Sequence, residues 1–308
     1  MTRIPISLII DDGSPVNLYY FHDLVHWHEL IVPVEQVNRF GDICAKYGVR
    51  GKFSVVPMPV GMGRLDQELS HCPKEHLARF LNAVRQKVAP RFSLTPEILS
   101  HFRAYDIKNN RFMHLMEDDY ISKASAEQIA DYVSLAIEIL CNVNLEPDGL
   151  TSPWMAGQDN EQNYAAGIGM AFKRTLNRDR CFYFLHHRPV LMRPKVMCNS
   201  PETGTVVSIP RTLPDIFWPS TTPGNDREVL GVIRAGIDKI ISEDGRSGDI
   251  LPQLEDGGPI VLITHWQSLF SDGRFYGLDG FECLMERIHR HLGDKVEWMN
   301  FKEIAERV

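Results

Sequence analysis

Short apolar runs alternate with longer amphipathic stretches along this chain, and that order predicts an α/β fold. Runs at residues 6–10, 52–56, 97–101, 149–152, 181–185, 206–209 and 259–265 have the length and apolar character of buried strands. Helix-patterned stretches lie between them at 34–47, 76–88, 125–142, 161–177, 226–242 and 280–292. The stretch from Ser125 shows the basis: Ser125 can cap, and Ile129, Val133, Ile137 and Leu140 recur on one helical face. The 34–47 stretch closes on Tyr47-Gly48, with glycine available for the left-handed position after a helix. Parallel strands covered by helices are therefore expected. No repeat, low-complexity tract or Gly/Ser linker interrupts the rhythm, so one domain over residues 1–308 is the simplest organisation, least regular between 188 and 223.

Composition narrows the partners. A chain of 308 residues, 44% hydrophobic, can bury one large core. Its formal charge of −7, with no basic patch standing out, argues against nucleic acid or an anionic membrane. A small-molecule or carbohydrate substrate is expected instead, and a homo-oligomer is compatible with these numbers. The first residues, MTRIPISLIIDDG, lack the pattern of a secretory leader, and no stretch reaches the roughly 18 apolar residues of a membrane span. A cytoplasmic location is the expectation. Six cysteines without CxxC spacing fit reduced thiols better than a zinc-thiolate site.

In parallel α/β folds the chemistry gathers where strands end. The first run leads directly into Asp11-Asp12-Gly13. Two adjacent carboxylates can divide labour, one binding a metal and one taking a proton, if the chain bends there, which Gly13 permits. Taken alone, the triplet reads equally well as a strand-ending turn. The 97–101 run ends in His101, with Arg103 beside it as a candidate substrate contact and Asp106 five residues on. An isolated histidine there is as easily structural as metal-binding. The last run delivers His265 and Trp266. Trp154, after the fourth run, and Trp266 are candidates for an apolar platform under a sugar ring, although either could be core. His22, His26 and His28 form a weaker cluster, since His28 leaves the face that the other two share on a helix.

Three segments carrying these residues resemble the NodB-homology polysaccharide deacetylases, a carbohydrate esterase family. Ile9-Ile10-Asp11-Asp12-Gly13 is similar to that family's TFDDG motif. The segment from Ala45 to Val56, reading AKYGVRGKFSVV, resembles its KYGVKATFFVV segment, and Leu262-x-x-His265 resembles its LxH motif. The resemblance implies a distorted seven-stranded (β/α) barrel of the glycoside hydrolase/deacetylase type. It also implies Asp11 as catalytic base, Asp12 as metal ligand and His265 as general acid. Two motifs depart. The family's HxxxH is reduced to His101, with Tyr105 four residues later, so Asp106 is taken as the third ligand, with His114 and His22 in reserve. RxPY appears as Ser152-Pro153-Trp154, without its arginine.

The function expected on this basis is metal-dependent hydrolysis of an N- or O-acyl group on a carbohydrate or related small molecule. The metal would be zinc, or else nickel, cobalt or manganese, bound by Asp12, His101 and Asp106. Trp154, Trp266, His22 and Arg103 are the expected substrate contacts. Two alternatives stay open: a metal-independent glycosidase on the same type of barrel, with paired carboxyl groups roughly 5–10 Å apart, and a carbohydrate-binding protein that has lost the chemistry.

Overall fold

A computed structural model describes residues 3–21, 27–186, 193–221 and 225–308. The strands are β1 (Ile4–Asp11), β2 (Gly51–Val55), β3 (Phe92–Pro96), β4 (Arg103–Asp106), β5 (Arg111–Met116), β6 (Gly149–Thr151), β7 (Arg180–Phe184), β8 (Lys195–Ser200), β9 (Gly204–Ser208), β10 (Ile260–His265) and β11 (Val296–Trp298). The helices are α1 (Val34–Tyr47), α2 (Lys74–Ala83), α3 (Glu117–Lys123), α4 (Ala126–Asn142), α5 (Glu161–Leu176), α6 (Asp226–Ile240), α7 (Ile250–Asp256), α8 (Trp266–Phe270), α9 (Tyr276–Leu292) and α10 (Phe301–Glu306). Local chemistry agrees with several of these boundaries. Ser125 accepts from the Gln128 amide in a capping box at the start of α4, and Gly48 takes the left-handed conformation after α1. Among the described residues, no helix is long and apolar enough to cross a membrane.

One parallel sheet runs β10-β1-β2-β3, with β11 also on β1. A second runs β6-β7-β9-β8, parallel except for the antiparallel pair β8–β9. A single bridge between Glu97 and Thr151 joins the two. At the other seam, among the described residues, the segment after β9 reaches β10 through the Thr212 and Leu213 amides on the Val261 carbonyl and the Val261 amide on the Thr212 hydroxyl. The parallel α/β architecture is present, but no closed seven-stranded barrel forms among the described residues, because strand pairing lapses at both seams. The 97–101 strand also needs correction. The strand is β3, five residues earlier, ending on Pro96, and the chain from Ile98 to His101 is irregular.

Strand alternation sorts side chains onto two faces. One face, with Ile6, Leu8, Ile10, Phe53, Val55, Leu94, Tyr183, Val206 and Leu262, joins the main core under the helices. On the other face, Ile9, Phe182, Phe184, Val207, Val261 and Ile263 form a second apolar cluster, closed at one end by Met299, Phe301 and Ile304. Two residues further along three of these strand paths stand Asp11, His186 and His265. The inner face thus changes from apolar to ionisable as the strands approach their C-terminal ends.

Candidate functional site

The β1–β10 register sets Asp11 opposite His265. Asp12 follows in a left-handed conformation (φ 64°), so the bend lies at the aspartate itself rather than at Gly13. That turn separates two neighbouring carboxylates into different surroundings. Gly13 has another job, since a Cβ there would sit 2.1 Å from the Ser54 carbonyl oxygen.

Asp12 shares its surroundings with Glu97 and His101. His101 Nδ1 lies 3.0 Å from Glu97 Oε1 and 3.4 Å from Asp12 Oδ1. The second Glu97 oxygen is already engaged, accepting from the Asp12 amide (2.7 Å) and the Ser54 hydroxyl (2.6 Å). Tyr19 donates to Asp12 Oδ2 (3.2 Å) and its hydroxyl lies 3.3 Å from His101 Nε2. One ligand atom from each of Asp12, Glu97 and His101 lies within 4.8 Å of the others, and in this structure His101 Nδ1 and Glu97 Oε1 are hydrogen-bonded to each other. Among the described residues, Asp12 Oδ1 is buried with no hydrogen-bond donor, as is Asp11 Oδ2. Burial pushes the Asp12 carboxyl up to about 7, His101 opposing and Glu97 adding to the rise. A buried anionic oxygen without a donor is costly, and a cation held by two carboxylates and an imidazole relieves that cost. The residues fit a divalent cation of the zinc type.

Asp11 is answered differently. Lys52, fully buried on β2, ion-pairs with Asp11 Oδ1 and donates to Thr151 Oγ1 at 2.6 Å. His186 Nε2 stands 3.1 Å from Asp11 Oδ2. Burial alone would raise the Asp11 pKa, but Lys52 and His186 hold it well below the usual carboxylate range. His265 donates from Nδ1 to Asp215 Oδ2 (2.7 Å), and its ring stacks on His186 at 5.6 Å. Burial pulls the His265 pKa down, yet Asp215, Asp12 and Asp11 outweigh that and push it up to about 9. Asp11, His186 and His265 also qualify on spacing as a metal-capable group, but the ammonium of Lys52 already neutralises their carboxylate.

The segment carrying His101 is strained. Ile98 (φ 28°) and His101 (φ 72°) both take positive φ, rare for residues with a side chain and rarest for a β-branched one. Glu117, fully buried at the start of α3, accepts the amides of Leu99 (3.2 Å), Ser100 (3.0 Å) and His101 (3.0 Å) and the Tyr132 hydroxyl (2.8 Å). Burial pushes Glu117 up to about 7 against those donors. Trp154 ties the mouth to the same segment, its indole N–H donating to the His101 carbonyl at 2.8 Å. Trp154 and Trp218 are each 37% exposed, and both pack edge-on against Tyr19. Trp218 also meets the His265 ring at 4.9 Å.

Of the residues singled out in the sequence, Asp11, Asp12, His101, His265 and Trp154 come together. Others do not. Asp106 lies in the β4–β5 hairpin, hydrogen-bonded to Asn109, and lines a separate cavity of about 950 Å³ with Asp131, Glu138 and Arg174. His114 is exposed on β5, and Arg103 is exposed at the start of β4. Trp266 is fully buried against Phe40 and Phe53, so it is core and not a platform. His28 donates its amide to Asp272, away from the acids. His22 and His26 lie outside the described residues. The residues missed were Glu97, Lys52, Asp215, Tyr19 and Trp218. Glu97 had a visible signal: it stands four residues before His101, where the family's pair has its first histidine.

A parallel α/β fold with acids and imidazoles gathered at its C-terminal strand ends defines the class, and the chain has the NodB-type deacetylase fold. It is similar along 99% of its length to a probable polysaccharide deacetylase from Pseudomonas aeruginosa PAO1 (14% identity, TM-score 0.54, 90% of that chain). Puue allantoinase matches equally well (14% identity, TM-score 0.54, 99% of this chain and 89% of that chain). A GH57-type branching enzyme from Pyrococcus horikoshii shares the fold at 11% identity and TM-score 0.53, over 99% of this chain and 70% of that one. At these identities the likeness is one of fold. No protein-family model matches the chain, and no curated protein matches its sequence.

Proposed function

We propose that the protein is a divalent-metal-dependent hydrolase that removes an N- or O-acyl group from a carbohydrate or related small molecule. The observation that carries this reading is the donorless, buried Asp12 Oδ1 facing Glu97 Oε1 and His101 Nδ1. A divalent cation, zinc by the donor set, supplies Lewis-acid polarisation of the acyl carbonyl when bound there. Asp11, kept ionised by Lys52, takes the proton of the attacking water. His265, held protonated by Asp215, passes a proton to the departing amine or alkoxide. Trp154 and Trp218, each partly exposed and packed on Tyr19, offer apolar faces on which a sugar ring can lie.

The test is acyl release from a panel of acetylated amino sugars and sugar esters, measured with and without a chelator, alongside the bound metal of the purified protein. Chelator-sensitive release with one metal equivalent is expected. Release of reducing ends without metal would replace this reading with the glycosidase. No turnover on the panel by metal-loaded protein, with sugar binding retained, would replace it with a binding protein.

A further inference from the structure

The carboxylate of Glu117 is spent entirely on main-chain amides and one tyrosine. Three successive N–H groups, those of Leu99, Ser100 and His101, turn toward it, with Oε1 taking the first two and Oε2 the third. Successive amides pointing the same way form a concave anion-binding nest, here filled by the chain's own side chain. The return contact is the Glu117 amide on the Phe102 carbonyl at 2.7 Å, so the clamp is closed on both sides. Residues 98–102, which hold those amides and that carbonyl, contain two positive-φ positions, Ile98 and His101. Strained non-glycine backbone persists only where its surroundings over-determine it. Opposite the clamp, the His101 imidazole faces Asp12 and Glu97.

We infer that Glu117 is a positioning residue for the cation site: its carboxylate gathers the 99–101 amides and thereby fixes the His101 imidazole where Asp12 and Glu97 meet. The inference rests on the reading that a cation binds there. Tyr132 braces the arrangement from α4, donating to Glu117 Oε1 while accepting from the Tyr105 amide at 2.9 Å. Replacing Glu117 by glutamine keeps the shape but turns one acceptor into a donor. Wherever the amide nitrogen settles, it faces at least one main-chain N–H, and the nest loosens.

The experiment titrates zinc alone into chelator-stripped full-length protein at pH 8, reading the dissociation constant by competition with a chromophoric chelator and recording Tm in parallel. E117Q is expected to weaken zinc binding about 10- to 100-fold, the usual effect of removing an orienting partner. Ile137→Val, a change at a buried position of α4, is expected to lower Tm without moving the zinc constant. Should E117Q not fold, Glu117→Asp serves, because it keeps the charge but draws the carboxylate back by one methylene, and it is expected to weaken zinc in the same direction. A folded E117Q or E117D binding zinc within two-fold of wild type overturns the inference and leaves the proposed function standing. Wild-type protein that takes up no zinc overturns both.

Discussion

Two clusters of carboxylate and imidazole stand side by side at the strand ends, begun by adjacent residues, and they reach electrical balance by opposite routes. Around Asp11 the chain supplies its own cation, Lys52, buried and held by Thr151. Around Asp12 the described partners are Glu97, His101, Tyr19 and the serine that holds Glu97, with no lysine or arginine among them; in each cluster one carboxylate oxygen, Asp11 Oδ2 or Asp12 Oδ1, has no hydrogen-bond donor among the described residues. Burying a charge without a partner costs several kcal/mol; Lys52 answers that cost at the first cluster, while at the second burial pulls the His101 pKa down but Asp12 and Glu97 push it up to about 9, and a bound cation is the proposed alternative to that imidazolium. The difference comes from one backbone conformation, the left-handed turn at Asp12. Sequence adjacency therefore says little about shared duty.

The contrast can be broken in four ways. Asp12→Ala should remove the bound metal and lower turnover by about four orders of magnitude, on the order of 5 kcal/mol. Metal retained with activity intact would erase the distinction between the clusters. Lys52→Met should destabilise the fold by about 3–5 kcal/mol in chemical denaturation, the cost of stranding a buried carboxylate. Wild-type protein should hold one zinc equivalent, and any second equivalent should appear only in this variant; two equivalents in wild type would show that Lys52 does not close the first cluster.

The third test is pH. His265 acts as an acid, so activity is present below its pKa and is lost as pH rises through about 9. Asp215→Asn removes a charge that raises that pKa, so the alkaline limb of kcat/KM should move down by about 1 unit. A limb that stays in place means another group is the acid. The smallest effect is expected at the mouth. Trp218→Ala should raise KM several-fold, about 1 kcal/mol, with kcat nearly unchanged; a loss confined to kcat would put Trp218 in the chemistry instead.

How legible the site was depended on how each strand ends. β1 and β10 are apolar runs closing on polar residues, and both ends were readable from the sequence. β3 was not, because its inward residues Ser93 and Thr95 are polar and it stops at a proline, while the more apolar stretch after it is irregular. That shift moved attention downstream of His101 to Asp106, when the partner carboxylate was four residues upstream. The AKYGVRGKFSVV segment held a subtler signal. It departs from KYGVKATFFVV at Arg50, Gly51, Lys52 and Ser54, and of these Lys52 and Ser54 reach the site carboxylates. Asp215 and Trp218 sit in an irregular stretch with no periodicity, so only the fold brings them to His265. Trp154 and Trp266 look alike in sequence, and burial alone tells rim from core.

The lone bridge between Glu97 and Thr151 has a consequence for how such a centre can change over time. Past that bridge the main chain from Leu99 to His101 is held by Glu117, Trp154 and the amides of Met58 and Val60 rather than by a strand ladder. Swapping one donor type for another there means redrawing a short span of polypeptide. The same swap at Asp11 or His265 would disturb strands whose register is fixed along their length. The seam is the margin along which this scaffold can exchange side chains at the Asp12 cluster with the fewest substitutions.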